Sequence, residues 1–390
     1  MKFDYFIGEN IKKDYFRSTL VETLRQSGKG LVSPNGKIMV FLPPKLGFCH
    51  GVVRAIRMAM YATEKYRGRK IYLLNEMIHN SIVNQELLRV GVNFFDGVYS
   101  NSGLSLNSIT KDDVVIIPSF GGSTFIYEEL KRLDCIVIDA TCGEILSVWK
   151  RIQKYNAVGF TSLIFGNYAH EEVVATASRA KCYLILKDLA VTQMVADYIR
   201  TPNPTEAKHM LVHFKNACSP GFNPEVHLKR VGMASQTTMY ASDFIKASWM
   251  IRQAVLDRYE EEKLEDHFLE LYTVCSATQE RQNAVQFLLP YVDMMIIVGG
   301  YNSNNTMNLA RIASEKVPTY HVDGTGKILL GGILYQPVGS KQETLKVNWL
   351  PQKEYINIGM TSGASTPDSV LEQVIGEVLV LDGGIAEQER

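Results

Sequence analysis

Net charge is the first thing this sequence lacks: 41 lysines and arginines are balanced by 41 aspartates and glutamates over 390 residues. No global field therefore recruits nucleic acid or an anionic membrane, and an anionic ligand must be held by local groups. Long hydrophobic runs are missing too, and none approaches the roughly 18 apolar residues that a membrane span needs. The N-terminal stretch carries Lys2, Asp4, Glu9, Lys12, Lys13 and Asp14 and has no apolar core of the signal-peptide kind. A cytoplasmic protein with neither membrane nor nucleic-acid partner is expected. Cysteine is scarce, six in all with no close spacing, which argues against a secreted disulfide framework and leaves reduced thiols or metal ligands. Short repeats and low-complexity tracts are absent. What remains, 46% hydrophobic and 21% charged, is ordinary for a soluble globular protein, with length for two or three domains.

The chain is organised around Gly47-Phe48-Cys49-His50-Gly51-Val52, where the apolar run 38–42 hands over to a helical pattern starting near Val52. A cysteine there lies between a strand and a helix. Glycines on both sides allow a tight turn, and the N–H groups that open the helix stabilise a thiolate. The arrangement recurs at Cys142, after 136–140, and at Cys275, after 271–274. Apolar runs alternate with amphipathic stretches throughout, which predicts a mostly parallel α/β protein. The expected divisions are an N-terminal arm over 1–36 with a helix from Tyr15 to Gln26, and α/β units over 37–142, 143–268 and 269–390. Four prolines in 201–224 predict an irregular insertion in the second unit, strand character is expected over 269–274, and weak patterning over 324–347 predicts a hairpin or loop excursion.

Spacing alone leaves two accounts of the cysteines open: burial for packing, or thiolates gathered where strand ends face one crevice. Cys135, Cys182 and Cys218 fit the first account. Three thiolates fall one short of the usual structural zinc set, and they suit an iron–sulfur cube that leaves one iron without a protein ligand. Polar strand-to-helix turns accompany them: Asn75 to Asn80, Gly166 to Glu172, Ser235 to Thr238, Asn302 to Thr306 and Thr361 to Thr366. Such turns cap helices routinely, and several at one face also make a cradle for a phosphate or diphosphate. His209, His213, His227, His267 and His321 are read as structural, and His50 is left undecided.

Eight ordered motifs carry a resemblance: Gly-Phe-Cys-x-Gly-Val at 47–52, Asn-Glu-x-Ile-His-Asn at 75–80, Asp-Ala-Thr-Cys at 139–142, His-Glu-Glu at 170–172, Gln-Thr-Thr-Met at 236–239, Cys-x-Ala-Thr-Gln-Glu-Arg-Gln at 275–282, Asn-Ser-x-Asn-Thr at 302–306 and Thr-Ser-Gly-Ala-Ser-Thr-Pro-Asp at 361–368. Over residues 37–378 the chain resembles the 4-hydroxy-3-methylbut-2-enyl diphosphate reductase family, most closely its plant and cyanobacterial branch. The resemblance implies three similar α/β units with mostly parallel sheets arranged around a central iron–sulfur cluster. It implies one 4Fe-4S cluster held by Cys49, Cys142 and Cys275 with an open apical iron, and a ferredoxin or flavodoxin-type electron donor. It implies a small diphosphate substrate held by His79, His170, Thr237, Ser303, Asn304, Asn305 and Ser365, with Glu172 and Thr237 as the catalytic pair. The activity implied is reductive dehydroxylation to isopentenyl and dimethylallyl diphosphates, the last step of the methylerythritol phosphate route to isoprenoids.

Three positions depart from the common family pattern. Phe120 stands where many bacterial members carry a histidine, Asn304 replaces the second of two serines, and Gly143 replaces a proline after Cys142. Two other classes would use some of the same residues. A hydro-lyase with an open-apex cluster should supply arginines to clamp a carboxylate, and the cradle turns contain none. A phospholigand-binding module would need no cluster at all.

Overall fold

Runs such as Val114–Ile117 and Met294–Val298 are buried along their whole length. Strands of that kind belong in parallel sheets covered on both faces by helices. Three sheets built on such strands occur in the computed structural model, which describes residues 2–3, 16–96, 98–100 and 106–388. The chain divides into two compact units, the first taking in 58–77 and 87–275 together with strand Lys2–Phe3, the second taking in 16–57, 78–86 and 276–388.

The first unit holds two sheets, parallel throughout. One has the order Lys2–Phe3, Ile136–Asp139, Val114–Ile117, Ile71–Leu73, Val92–Phe94; the other has the order Phe268–Glu270, Val231–Ser235, Thr161–Phe165, Tyr183–Leu186. Helix Gly143–Ala157 leads from the first to the second and buries Ile145, Val148, Trp149, Ile152 and Tyr155 at helical spacing. The Tyr155 hydroxyl donates to the Met233 carbonyl at 2.7 Å, so even this buried phenol is satisfied. Helices Leu189–Arg200 and Ala241–Tyr259 cover the other face of the second sheet with Val195, Ile199, Phe244 and Ile251, all fully buried.

The second unit has a five-stranded sheet ordered Thr319–Val322, Met294–Val298, Ile356–Ser362, Ile38–Phe41, Leu31–Val32, parallel except for the last pair. Helix Asp368–Gln388 packs Leu371, Val374 and Val378 into its core. Residues 324–347 form a three-stranded antiparallel sheet, Ile328–Leu329, Gly332–Tyr335 and Thr344–Val347.

Several expectations are corrected. Strand Ile38–Phe41 does not open a unit ending at residue 142: it pairs in parallel with Ile356–Ser362, Ile38 opposite Ile356. A local pattern specifies a strand but not its partner, and a parallel partner can lie hundreds of residues away. Residues 201–224 are irregular only in part, since helix Pro204–His213 lies within them and helix Pro224–His227 begins at their end, with turns over 214–223 between. Their prolines occupy first-turn positions, where a missing N–H is no loss, behind Asn203 and Asn223 caps that accept from Glu206 N–H at 2.9 Å and Glu225 N–H at 3.0 Å. The arm helix runs Thr19–Ser27 under a Ser18 cap; Tyr15 and residues 4–14 lie outside the described residues. Strand character expected over 269–274 is confined to Phe268–Glu270.

Candidate functional site

In the first unit the polar ends of two neighbouring strands carry a linked set of groups. Strand Thr161–Phe165 runs out at Gly166, and the turn that follows ends at His170, whose imidazole Nδ1 accepts the Glu172 N–H at 3.1 Å and so caps helix Glu171–Ala177. That bond fixes Nδ1 as the acceptor and Nε2 as the protonated nitrogen. Glu172 is 2% exposed, and its Oε1 accepts the Thr237 N–H at 2.6 Å. Thr237, just past the end of strand Val231–Ser235, accepts the Cys275 N–H on its own carbonyl at 3.2 Å. One continuous path of backbone and hydrogen bonds thus connects Cys275, Thr237, Glu172 and His170. Glu171, only partly buried, accepts from Asn75 Nδ2 at 3.1 Å. The edge of one ring meets the face of the other where Phe120 packs on His170, centroids 5.5 Å apart, so the aromatic residue at this departure from the family pattern supports the histidine.

Cys142 occupies the cap position of helix Gly143–Ala157, and its thiol is not used as a cap. Its turn is held from behind. Asp139 accepts the Thr141 N–H at 3.0 Å, the Thr141 hydroxyl at 2.5 Å and the Tyr127 hydroxyl at 2.8 Å. Burial, reinforced by the Asp139 charge, pushes the Tyr127 phenol far above its ordinary range, so it stays a donor. Arg179 lies over the Trp149 ring at 3.2 Å, and burial pulls its guanidinium down to about 10.

In the second unit three loops meet at the carboxyl ends of adjacent strands. The Cys49 N–H donates to Ala364 O and the Gly47 N–H to Ser362 O, both at 3.3 Å, while the Ala364 N–H donates to Asn305 Oδ1 at 2.9 Å. Ser303 caps helix Asn304–Ser314, so its hydroxyl accepts the Thr306 N–H at 3.4 Å. Asn304, the first residue of that helix, and Ser365, on the loop after strand Ile356–Ser362, are partly buried. His79, 8% exposed, follows Ile78, whose carbonyl accepts from the Asn84 amide at 3.0 Å; its Nδ1 faces Asn302 Nδ2 at 3.4 Å. Asn305 Nδ2 and the hydroxyls of Thr306, Thr361 and Ser362 are buried without a hydrogen-bond partner among the described residues. Buried donors left unmatched carry a cost that an anion accepting from them would offset.

The donor chemistry fits a thiolate-held cluster. Among the described residues none of the six cysteines forms a disulfide, and Cys49, Cys142 and Cys275 are each partly exposed at the carboxyl side of a strand and the start of a helix. The Cys49 sulfur accepts the Val52 N–H at 3.5 Å, the kind of bond that stabilises a thiolate. Cys135, by contrast, is fully buried in the hydrophobic core just before strand Ile136–Asp139, and burial raises its thiol. His50 is exposed at the first residue of its helix. One residue the sequence reading passed over is Arg281. It occupies the buried face Thr278, Arg281, Val285, Leu288, and a charged residue at a core-facing position was the signal.

These features define an α/β protein with thiols and unmatched polar groups at the carboxyl ends of its parallel strands. A family described as LytB protein matches residues 40–379, and the chain belongs to that family. A Gloeobacter violaceus protein named 4-hydroxy-3-methylbut-2-enyl diphosphate reductase is 38% identical over 382 residues, covering 97% of this chain and 90% of the relative. A Crocosphaera subtropica protein of the same name is 39% identical over 366 residues, covering 93% and 89%. A solved structure of (E)-4-hydroxy-3-methyl-but-2-enyl diphosphate reductase, described as the terminal enzyme of the non-mevalonate pathway, is 27% identical with a TM-score of 0.53, covering 88% of this chain and 99% of its own. The Plasmodium falciparum E-1-hydroxy-2-methyl-but-2-enyl-4-diphosphate reductase, 23% identical with a TM-score of 0.62, shares the fold. Among the described residues no helix is long and apolar enough to cross a membrane.

Proposed function

We propose that this chain is an oxidoreductase that removes the hydroxyl of 4-hydroxy-3-methylbut-2-enyl diphosphate to give isopentenyl and dimethylallyl diphosphates. The reaction takes two electrons from a ferredoxin or flavodoxin-type donor and two protons: one leaves with the hydroxyl as water, and the other ends on a carbon of the allyl fragment. The observation that supports the reading is the linkage of the Cys275 backbone through Thr237 to the buried Glu172 and on to His170, because it ties a buried carboxyl group to the turn of a cysteine proposed as a cluster ligand.

Cys49, Cys142 and Cys275 would hold a 4Fe-4S cluster, which when bound supplies electrons and an open iron acting as Lewis acid on the departing oxygen. The remaining work belongs to the chain. Glu172 holds the proton for the leaving hydroxyl, and the Thr237 N–H fixes its carboxyl so that Thr237 can serve as relay. His170 presents Nε2–H as a donor because Nδ1 is committed to the helix cap. Asn305 is oriented by the Ala364 N–H on its oxygen, which leaves Nδ2 as a donor for a diphosphate oxygen, and His79, Ser303, Asn304 and Ser365 complete the anion set. Anaerobic purification with iron and sulfide analysis, followed by turnover with a reduced donor, tests the proposal. Brown protein with about four irons that converts the substrate is expected. A colourless, iron-free protein that binds the diphosphate without turnover would overturn it.

A further inference from the structure

A buried arginine is expensive unless each N–H finds an acceptor, and Arg281 is 5% exposed. Its fork is spent on two backbone carbonyls. Nε and Nη2 both donate to the Gly47 carbonyl, at 3.1 and 2.8 Å, and Nη1 donates to the Ala277 carbonyl at 2.8 Å. Helix stability does not account for this residue. It lies in the second turn of helix Ser276–Leu288, toward the end where the macrodipole disfavours a cation.

The carbonyl it grips belongs to a residue with no slack. Gly47 has φ +67°, and a Cβ there would lie 2.1 Å from Asp368 Oδ1. Its N–H is bonded to Ser362 O, and two residues on the Cys49 N–H is bonded to Ala364 O. The Gly47 peptide is therefore fixed on its N–H side, on its carbonyl side and against its α-carbon. We propose that Arg281 is a positioning residue for the Cys49 thiolate: it locks the Gly47 carbonyl so that the turn carrying Cys49 keeps one geometry whether or not the thiolate is ligated. The inference rests on the cluster reading only for its consequence, since the clamp itself belongs to the chain. Lysine cannot substitute, because a single ammonium lacks the fork that spans the Gly47 and Ala277 carbonyls.

The test uses the full chain, iron-free and iron-loaded, with Arg281→Lys and Arg281→Gln variants. Amide hydrogen exchange of iron-free protein should rise by about tenfold or more in the peptide covering 45–52, the scale of losing one charge-assisted hydrogen bond, while the peptide covering 140–146 around Cys142 stays unchanged. On iron-loaded protein, chelator-driven iron loss should quicken by about the same factor. Unchanged exchange at 45–52 overturns the clamp, and so does a uniform rise across the chain, which would mark a merely structural role. If neither variant folds, NMR exchange of the Arg281 Nε–H in the native protein decides: slow exchange supports the clamp, and exchange at the free-guanidinium rate overturns it. A native chain that carries no iron would sink the cluster reading and leave the exchange result standing.

Discussion

Replacing Glu172 by glutamine separates proton delivery from architecture. The amide keeps an oxygen to accept the Thr237 N–H now bonded at 2.6 Å, so the turn leading toward Cys275 stays in place. What changes is the donor inventory, because an amide carries two N–H donors where a protonated carboxyl carries one O–H. The group is 2% exposed, and the new amide N–H2 must find acceptors, so we predict a stability loss of about 1–2 kcal/mol. The proton is lost outright, and general acids contribute roughly 10²–10⁴ in rate, or about 3–5 kcal/mol. Turnover should therefore fall by at least a hundredfold in a protein that still folds, binds iron and binds substrate. Glu171→Gln is the control: its carboxylate is partly exposed and engaged with Asn75, and we predict turnover within about threefold of the parent. The assay is product formation under anaerobic conditions with a chemically reduced donor, referenced to iron content. Near-normal turnover in Glu172→Gln, or an inactive Glu171→Gln, would refute the assignment.

Other consequences can be checked as directly. Serine at Cys49, Cys142 or Cys275 is predicted to abolish the brown absorbance, while serine at Cys135, Cys182 or Cys218 leaves it; full cluster retention in Cys142→Ser would remove that residue from the ligand set. Phe120→Ala withdraws the ring that buttresses His170, a contact worth about 0.5–1.5 kcal/mol, and we predict a KM raised by two- to tenfold with kcat less affected; an unchanged KM would show that the ring supports nothing. Phe120→His should lower KM or leave it unchanged, and loss of activity with the cluster intact would give the aromatic ring a role beyond this account. Burial lowers the basicity of His321, whose Nε2–H donates to the Gly299 carbonyl at 2.8 Å. The unfolded chain then takes up the proton first, so stability is full above the ordinary value of 6.5 and falls as pH drops below it. Urea melts at pH 7.5 and 5.5 should show that slope in the parent and a flatter one in His321→Gln.

Some of this was plain in the sequence and some could not be. Val114–Ile117 and Thr124–Leu133 were legible because a solidly apolar tetrad and a serine-capped amphipathic stretch each satisfy a local rule. Pro204 and Pro224 misled because proline breaks a helix in its interior yet starts one at its first turn, and the asparagine before each was the discriminating residue. The partner of strand Ile38–Phe41 was invisible because no local pattern encodes a pairing that spans most of the chain. In the candidate site, residue types were legible at Cys275, Thr237, Glu172 and His170. The bonds among them were not, since they join turns distant in sequence. Arg281 was marked only by its charge on the apolar face of helix Ser276–Leu288, and its role was not legible because the two carbonyls it holds carry no side-chain signature.

That long-range pairing also sets a timetable for synthesis. Strand Ile38–Phe41 has only the short antiparallel companion Leu31–Val32 until residues 356–359 have been made, and an isolated two-stranded ribbon is marginal in water. Both sheets of the first unit, by contrast, are complete once residue 270 has emerged. At the usual pace of about 5–20 residues per second, some 300 residues separate Cys49 from the strand that anchors its turn, an interval of roughly 15–60 seconds. The earliest of the three proposed thiolates to leave the ribosome is thus the last whose turn is anchored, and any cluster that needs it must wait until residues 356–359 have been made.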